Sequence, residues 1–378
     1  MPPIDLADSP IIDHHAHALI KAQPQTVAQL QGYFTESADP TIKAKFVPDS
    51  IMWMRGIREL AAYFGCDPTP EAVLAAHSAI PLPDLANQMW SAMNSGALFI
   101  DYGFGAAINY SVEEQRVFIQ QPIEKILRLE WFLQDLIVEL STFRQVEEAF
   151  FARVASARAD GHLGLKSIIA YRTGLDIQWV TRDEAMRAFG PVKDKADLDG
   201  KLRLADKTLC DYFVLLALEI ANQQELPIQF HTGFGDTDVD LIKANPLYMR
   251  PLFQSGRFNR VPFVLLHSAY PYTRELGYLA AQYPNIYMDT SLAIPFITTE
   301  IPRMLHQIFG MTPLSKVLYS SDAFSIPEIF YLANKWGRAA LEQVLGELVD
   351  SDALTVQQAL KAGRDILGDN ARRVYQFS

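Results

Sequence analysis

Eight short apolar runs recur along the chain, and longer segments with helical periodicity separate most of them. Several of these runs are almost continuously apolar, which is the pattern of strands buried on both faces of a parallel sheet. Strands that alternate with helices favour an α/β fold, and eight such units predict a (β/α)8 TIM barrel. The predicted strands cover residues 11–15, 97–103, 124–130, 163–172, 226–233, 261–268, 285–291 and 316–323.

Two intervals are too long to be plain connections between a strand and the next element. Residues 18–96 contain several helical patterns, for example 51–65 and 69–80, and we interpret them as a helical insertion over the barrel mouth. An edge subdomain that serves packing alone is the alternative. Residues 173–204 form a second, shorter excursion. With these additions, residues 1–378 are expected to form a single TIM-barrel domain.

The stretch "IIDHHAH", residues 11–17, places three of the eight histidines of the chain within four positions. Side chains two residues apart in a strand point the same way. His15 and His17 would therefore face one side together, while His14 faces elsewhere. Two imidazoles on one side of a strand are a candidate metal site, although an isolated His-x-His pair is weak support for one.

Polar side chains also follow three later strands of the predicted barrel. Each has an ordinary structural interpretation when taken alone, as a buried histidine or as a carboxylate that caps the next helix. Active sites of TIM barrels lie at the C-terminal ends of the strands, so residues distant in sequence converge there. Three imidazoles and a carboxylate suit zinc or a similar divalent ion. The residues concerned are His231, His267 and Asp322, whereas His77, His162 and His306 are interpreted as structural.

Five motifs carry a resemblance to a known family. They are "IDHHAH", "QFHTGFGD", "LLHSAYPY", "YSSDA" and "ILGDNARRVY", and the pattern resembles the amidohydrolase superfamily, in its branch of mononuclear TIM-barrel metal enzymes. "GLKSIIAYRTGLD" and "HTGFGDTDVDLIKANP" are similar to the amidohydrolase-like domain at the N-terminus of FluG and nodulin/glutamine-synthetase-like proteins. The resemblance covers nearly the whole chain.

The resemblance implies one divalent metal ion, zinc by expectation, with manganese or iron as alternatives. His15, His17 and His231 would be ligands, with Asp322 as a fourth ligand or close partner. His267 would lie beside the metal without having to bind it.

Binuclear members of the superfamily use a carboxylated lysine on strand 4 as a bridge between two metals. Lys166 lies on predicted strand 4, but early in a strand that we extend to residue 172. Because a bridging ligand belongs nearer the C-terminal end, we favour one metal ion. Lys166 would then be an interior polar residue that reaches toward the site.

The family implies a metal-dependent hydrolase that activates water to attack a C–N or C–O bond of a small carbonyl substrate. Asp322 would act as general base, and His267 would stabilise the oxyanion. A metal-dependent decarboxylase of a small unsaturated or aromatic acid is the first alternative, because related barrels use nearly the same ligands. The second alternative is a non-catalytic barrel that partners a glutamine-synthetase-like protein.

Four further residues are candidate substrate contacts. Tyr171 and Arg172 end predicted strand 4, and the Arg172 guanidinium would bind a substrate carboxylate bidentately or else form a structural ion pair. Asp236 lies in the loop after strand 5, where aspartates either bind an amine or hold the loop by local hydrogen bonds. Tyr270 follows His267 and would form a pocket wall.

Charge and composition limit the partners. The formal net charge is −11, and no run of Lys or Arg indicates binding to nucleic acid or to an anionic membrane. The two cysteines form no disulfide framework, and neither a bilayer-spanning apolar stretch nor a signal-peptide pattern is evident. We therefore expect a cytoplasmic enzyme that binds a small molecule. Because barrels of this kind often self-associate through their outer helices, we also expect a homo-oligomer.

Overall fold

The computed structural model describes residues 4–378, and eight strands in these residues form a single sheet. The strands are β1 (Ile11–Ala16), β2 (Ser95–Asp101), β3 (Ile123–Arg128), β4 (His162–Ser167), β5 (Ile228–Phe230), β6 (Phe263–Leu265), β7 (Ile286–Asp289) and β8 (Val317–Leu318). Each strand neighbours the next one along the chain, and the pairings β1–β2 and β3–β4 through β6–β7 are parallel. This order is that of a (β/α)8 barrel, which confirms the predicted fold.

Helices connect the strands, as a parallel sheet requires. Those of the described residues are α1 (Val27–Gln31), α2 (Ile51–Phe64), α3 (Pro70–Ser78), α4 (Leu82–Ala92), α5 (Val112–Phe118), α6 (Leu129–Glu139), α7 (Phe143–Ala155), α8 (Arg182–Asp199), α9 (Lys207–Gln224), α10 (Arg250–Gln254), α11 (Thr273–Gln282), α12 (Ala293–Ile297), α13 (Ile301–Phe309), α14 (Pro327–Asp350), α15 (Val356–Arg364) and α16 (Asn370–Tyr375). None of them is both long enough and apolar enough to cross a membrane.

Several strands are shorter than the apolar runs that predict them, because the chain leaves the sheet before the run ends. β4 ends at Ser167, and Ile169–Tyr171 forms a 3-10 turn. The expectation that strand 4 continues to residue 172 is therefore wrong. Lys166 is the next-to-last residue of β4 rather than an early one, so its position no longer argues against a role at the site.

The chain divides into two compact units. The first contains the described residues up to Glu124, together with Gly235–Thr237 and Thr290–Arg373, and it includes β1, β2 and β8. The second contains Lys125–Phe234, Asp238–Asp289 and Val374–Ser378, and it includes most of β3 and all of β4 to β7. The expectation of a single domain stays a prediction.

The segment between β1 and β2 is helical, and it carries α1 to α4. The side chain of Ser50 accepts a hydrogen bond from the backbone N–H of Trp53 and so caps α2, which ends at Gly65 in a left-handed conformation (φ 69°). Trp90 of α4 packs edge-to-face on Phe330 of α14, with ring centroids 5.3 Å apart. The segment is thus anchored to the helix that follows β8, whereas its role as a cover over the strand ends stays a prediction.

The histidines interpreted as structural each have a partner within the protein. His77 and Glu328 form a buried ion pair between α3 and α14. The ring of His162, which begins β4, lies with Nδ1 3.0 Å from a backbone carbonyl. His306 pairs with Glu347 at the surface. These contacts explain the three residues without a metal.

In the second unit, aromatic side chains fill the space between α7 and α9. Thr142 and Gln145 form a capping box at the start of α7, and the side chain of Asp206 caps α9. Phe150 and Phe213 pack with ring centroids 4.9 Å apart. These aromatic contacts hold the two helices together.

Candidate metal centre and substrate site

At the C-terminal end of β1, His15 and His17 both face one carboxylate. The Nε2 atom of each histidine lies 3.0 Å from Oδ1 of Asp322, and all three residues are buried. The two-residue spacing in an extended strand brings the imidazoles to one side, as predicted. Two imidazole nitrogens and a carboxylate oxygen that converge on one point are the donors that zinc and similar divalent ions prefer. The residues present therefore fit the predicted metal.

The end of β2 orients His17. Nδ1 of His17 lies 3.0 Å from the backbone carbonyl oxygen of Asp101, so a proton on Nδ1 donates to that oxygen and leaves the Nε2 lone pair for a metal. The Asp101 carboxylate also belongs with His15 and His17 to a group whose ligand atoms all lie within 4.8 Å of one another. The sequence prediction omitted Asp101, although a polar residue near the end of an apolar run is the same signal that indicated His231.

A second buried carboxylate holds the loop that carries Asp322. Asp13 accepts a hydrogen bond at Oδ1 from the backbone N–H of Ser321 (2.9 Å) and another at Oδ2 from the Ser321 hydroxyl (2.5 Å). The Ser321 hydroxyl oxygen in turn accepts from the N–H of Ala323 (2.9 Å). Burial raises the pKa of Asp13 to about 7, although the Ser321 hydrogen bonds lower it. The interaction was not predicted, because nothing in the sequence pairs these positions.

The backbone at Asp322 is strained. Its φ of 53° is in the left-handed region, which a residue other than glycine adopts only when its surroundings hold it there. The N–H of Asp322 donates to the carbonyl of His15 (3.0 Å), and the N–H of His17 donates to the carbonyl of Ala323 (2.8 Å). These bonds fix the carboxylate beside the two histidines that it faces.

In the second unit, the structure brings three of the predicted site residues together. His231 follows β5 directly, and its ring centroid lies 4.4 Å from that of His267 and 4.3 Å from that of Tyr171. Both histidines are buried. The ends of β4, β5 and β6 thus supply one cluster of aromatic and imidazole rings.

His267 begins a turn in which three consecutive residues have positive φ values, 67°, 51° and 46° for His267, Ser268 and Ala269. The Asp289 carboxylate at the end of β7 accepts a hydrogen bond from the N–H of His267 (2.6 Å), and Ser268 Oγ donates to the Asp289 carbonyl (2.8 Å). Gly233 (φ 72°) packs so tightly on this turn that a Cβ atom would lie 2.4 Å from the Ala269 carbonyl carbon. Strain held in this way is typical of functional sites.

Arg172 lies in the turn after β4. No hydrogen bond or ion pair joins its guanidinium to any residue that the structure describes, and its Nε atom is buried. Arg203, in contrast, donates to the Asp238 carboxylate (2.9 Å) and to the Tyr171 carbonyl (3.1 Å). The two roles left open for Arg172, a substrate contact and a structural ion pair, both stay predictions.

Asp236 and Tyr270 belong to different units. Glu36 belongs to the helical insertion, in the same unit as Asp236. Burial, together with the charges of Asp322 and Asp236, raises the pKa of Glu36 to about 8. Tyr270 packs on Phe234 with ring centroids 5.8 Å apart. Glu36 is a further acidic residue near Asp322 that no sequence pattern indicated.

The predicted site residues are divided between the two units. The first unit contains His15, His17, Asp236 and Asp322, and the second contains Lys166, Tyr171, Arg172, His231, His267 and Tyr270.

Known proteins resemble this chain in both sequence and structure. The model of the amidohydrolase family matches residues 197–377. The crystal structure of a "putative metal-dependent hydrolase" from Lactobacillus casei is 30% identical, with a TM-score of 0.88 over 99% of this chain and 98% of that one. The chain belongs to the amidohydrolase superfamily. The fold, the strand-end histidines and the predicted resemblance agree with this assignment.

Two other comparisons define how far the likeness of this chain to known proteins extends. FluG of Emericella nidulans is 37% identical over an alignment of 254 residues that covers 64% of this chain and 29% of FluG, so the chain spans less than a third of that protein. Uronate isomerase from Thermotoga maritima has a TM-score of 0.70 over 98% of this chain and 95% of that one. At 12% identity, the latter shows a shared fold alone.

Proposed function

We propose that this amidohydrolase is a metal-dependent hydrolase of a C–N or C–O bond in a small carbonyl substrate. The observation that carries the proposal is the convergence of His15 Nε2 and His17 Nε2 on one oxygen of Asp322, each at 3.0 Å. His15, His17, His231 and Asp322 would hold one divalent ion, with zinc as the first candidate. Lys166 would lie next to the site, or would be a ligand if two ions bind.

When bound, the ion would lower the pKa of a water molecule toward about 7 and polarise the carbonyl of the substrate. Asp322 would accept a proton from the attacking water and return it to the leaving group, because a carboxylate held beside the reacting atoms can act as base and then as acid. His267, held by Asp289 in its turn, would donate a hydrogen bond to the oxygen on which charge develops.

Substrate contacts in this proposal come from residues around these groups. Arg172 would bind a carboxylate, and its lack of an ion pair within the described residues supports this role. Tyr171, whose ring lies against His231, and Tyr270 would form walls of the pocket. Asp236 would either bind an amine of the substrate or hold the loop after β5.

A metal-dependent decarboxylase is the second candidate function. The Arg172 guanidinium forms no ion pair with any residue in the part of the chain that the structure describes. This favours an acidic substrate, which both a decarboxylase and a hydrolase of acidic amides would use. The products separate the two candidates. Carbon dioxide release from an unsaturated or aromatic acid would identify the decarboxylase, whereas an amine or alcohol product would identify the hydrolase.

The experiment that tests the proposal is elemental analysis of metal per chain in wild type, His15→Ala and Lys166→Ala, with His306→Ala as a surface-histidine control. We expect about one metal per chain, lost in His15→Ala alone, together with hydrolysis of an amide or lactone in a substrate screen. A content of two metal ions per chain that decreases in Lys166→Ala would indicate a binuclear centre. A folded wild type that takes up neither zinc nor manganese would contradict the proposal.

A further inference from the structure

Three aromatic side chains lie in a row beside the candidate metal centre, and all of them belong to the first unit. The ring of Phe104, in the loop after β2, has its centroid 5.1 Å from that of His17. The ring of Phe324, in the loop after β8, lies 6.3 Å from that of Phe104. The ring of Tyr33 lies 6.1 Å from that of Phe324. The row thus connects a predicted metal ligand to the segment between β1 and β2.

Backbone hydrogen bonds hold the two loops that carry the phenylalanine rings. The N–H of Ile20 donates to the carbonyl of Ser325 in the loop after β8 (2.9 Å). The N–H of Lys21 donates to the carbonyl of Ile108 in the loop after β2 (3.0 Å). The chain that follows β1 therefore pairs with both loops, so that the two rings are positioned before a ligand binds.

Tyr33 and its neighbour Phe34 have different surroundings. Phe34 is only 2% exposed, and its ring packs edge-to-face on Trp53 of α2 with the centroids 5.0 Å apart. Tyr33 is partly exposed, and burial of the rest of its side chain raises the pKa of its phenol, as apolar surroundings do. Phe34 therefore anchors the segment in the core, while Tyr33 directs its ring to Phe324.

Core packing alone does not account for Phe104. Its side chain is 41% exposed, although its ring lies against the buried His17. Single exposed apolar side chains are common on protein surfaces, but this one lies beside a predicted metal ligand. An apolar group that covered the ring would be stabilised there, because the removal of apolar surface from water is favourable.

The contacts among these rings favour an aromatic occupant. Ring pairs with centroids about 4.5–7 Å apart attract each other beyond the burial of their surface, and each pair in the row lies within that range. A cation is the competing occupant, because the acids Glu36 and Asp236 belong to the same unit and their charges interact. The apolar surroundings of Tyr33 favour a neutral ring, since a buried charge requires an opposite charge beside it.

We propose that Phe104, supported by Phe324 and Tyr33, binds a neutral aromatic ring of the substrate. The carbonyl group of the same molecule would then lie on the side of Phe104 where His17 is found. The substrate class is accordingly small aromatic carbonyl compounds, such as aryl amides and aryl esters. This inference rests on the proposed function, which places the reaction beside His17 and Asp322.

The test measures dissociation constants by ligand-observed NMR for three small probes. Acetophenone and acetone are ketones that the proposed hydrolase would not cleave, and they differ by a phenyl group in place of a methyl group. Benzamidine is a cation of nearly the same shape as acetophenone. The proteins are zinc-loaded and metal-free wild type, Phe104→Ala and Phe104→Tyr. Phe151→Ala is the matched control, because Phe151 is an exposed phenylalanine on α7 of the second unit.

We expect wild type to bind acetophenone about tenfold or more tightly than acetone, because the phenyl group is removed from water against aromatic rings. Phe104→Ala should reduce this preference to less than about threefold, whereas Phe104→Tyr and Phe151→Ala should keep it within about twofold of wild type. Thermal unfolding and metal analysis establish that the variants remain folded and bind metal as wild type does. Equal affinity for the two ketones, an unchanged preference in Phe104→Ala, or tighter binding of benzamidine than of acetophenone would overturn the subsite.

Turnover separates this proposal from the hydrolase assignment. If Phe104→Ala raises KM for benzamide and leaves kcat and metal content nearly unchanged, the subsite is supported. If the zinc-loaded enzyme hydrolyses benzamide and acetamide equally and Phe104→Ala alters neither reaction, the subsite is wrong while the hydrolase stands. If acetophenone binds through Phe104 but no amide, ester or lactone is cleaved, the subsite stands and the hydrolase proposal fails.

Discussion

Replacement of Ser321 by alanine tests whether Asp13 controls the metal ligands through the loop after β8. The substitution removes the hydroxyl that donates to Asp13 Oδ2 and accepts from the N–H of Ala323. The backbone N–H of Ser321 still donates to Asp13 Oδ1. Asp322 therefore keeps its place in the chain but loses part of the support for its strained conformation.

The magnitude follows from the bonds that are lost. A hydrogen bond to a charged group contributes about 1.5–3 kcal/mol, and the unpartnered Ala323 N–H adds about 1 kcal/mol. We therefore expect the free energy of unfolding to fall by roughly 2.5–4 kcal/mol. Changes in groups that orient metal ligands weaken metal affinity about 10–100-fold. We expect zinc affinity to fall within that range, although Ser321 itself would not contact the ion.

The assay is competition for zinc against a chromophoric chelator, together with urea unfolding of the metal-free protein. A pH of 8 keeps Asp13 charged, since its pKa is about 7. Ser95→Ala is the control, because Ser95 is a buried serine of the same unit whose hydroxyl oxygen accepts a hydrogen bond from the side-chain amide of Asn334. It should lower stability and leave zinc affinity unchanged. The reasoning is refuted if folded Ser321→Ala binds zinc within twofold of wild type, or if Ser95→Ala weakens zinc binding equally.

Three further predictions concern stability. Burial lowers the pKa of His162 from 6.5 to about 4, so the neutral ring contributes fully to the free energy of unfolding above pH 6.5, and this contribution is lost as the pH falls toward 4. Between pH 7.5 and 5.0 the free energy of unfolding should therefore fall by about 2 kcal/mol on account of His162. Urea unfolding at both pH values should show a correspondingly smaller change in His162→Gln. An equal change in both proteins would refute this. Gly233→Ala should destabilise by several kcal/mol or prevent folding, as measured by thermal unfolding, because its Cβ would overlap the backbone of Ala269 at a left-handed φ; a melting temperature within 2 °C of wild type would contradict it. Glu328→Ala should cost about 3–5 kcal/mol at pH 6 by leaving His77 buried and unpaired. Burial lowers the pKa of His77, but the hydrogen bond and charge of Glu328 outweigh burial and raise this pKa above its ordinary value. The loss of stability in Glu328→Ala should therefore become smaller as the pH rises through the raised pKa of His77. A loss of stability that does not depend on pH would contradict an ion pair between His77 and Glu328.

The pattern of the sequence was sufficient for the fold and for part of the site. Buried parallel strands need apolar residues on both faces, so each strand leaves a run that is visible without a structure. The extended backbone of β1 has a period of two, and this alone places His15 beside His17. Prediction failed at the strand ends, because Ile168 to Tyr171 are as apolar as a strand but turn out of the sheet. The error displaced Lys166 from its true position near the end of β4.

Periodicity and hydrophobicity are local properties of the chain, so they identify the residues that have suitable chemistry and lie near strand ends. The partners that those residues meet depend on the tertiary fold. Asp13 and Ser321 are 308 positions apart, and no local pattern relates them. The sequence likewise left two roles open for Arg172. Both roles stay predictions, but the fold shows that Arg203 pairs with Asp238, whereas no ion pair of Arg172 is found in the described residues, since electrostatic pairing depends on distance in space.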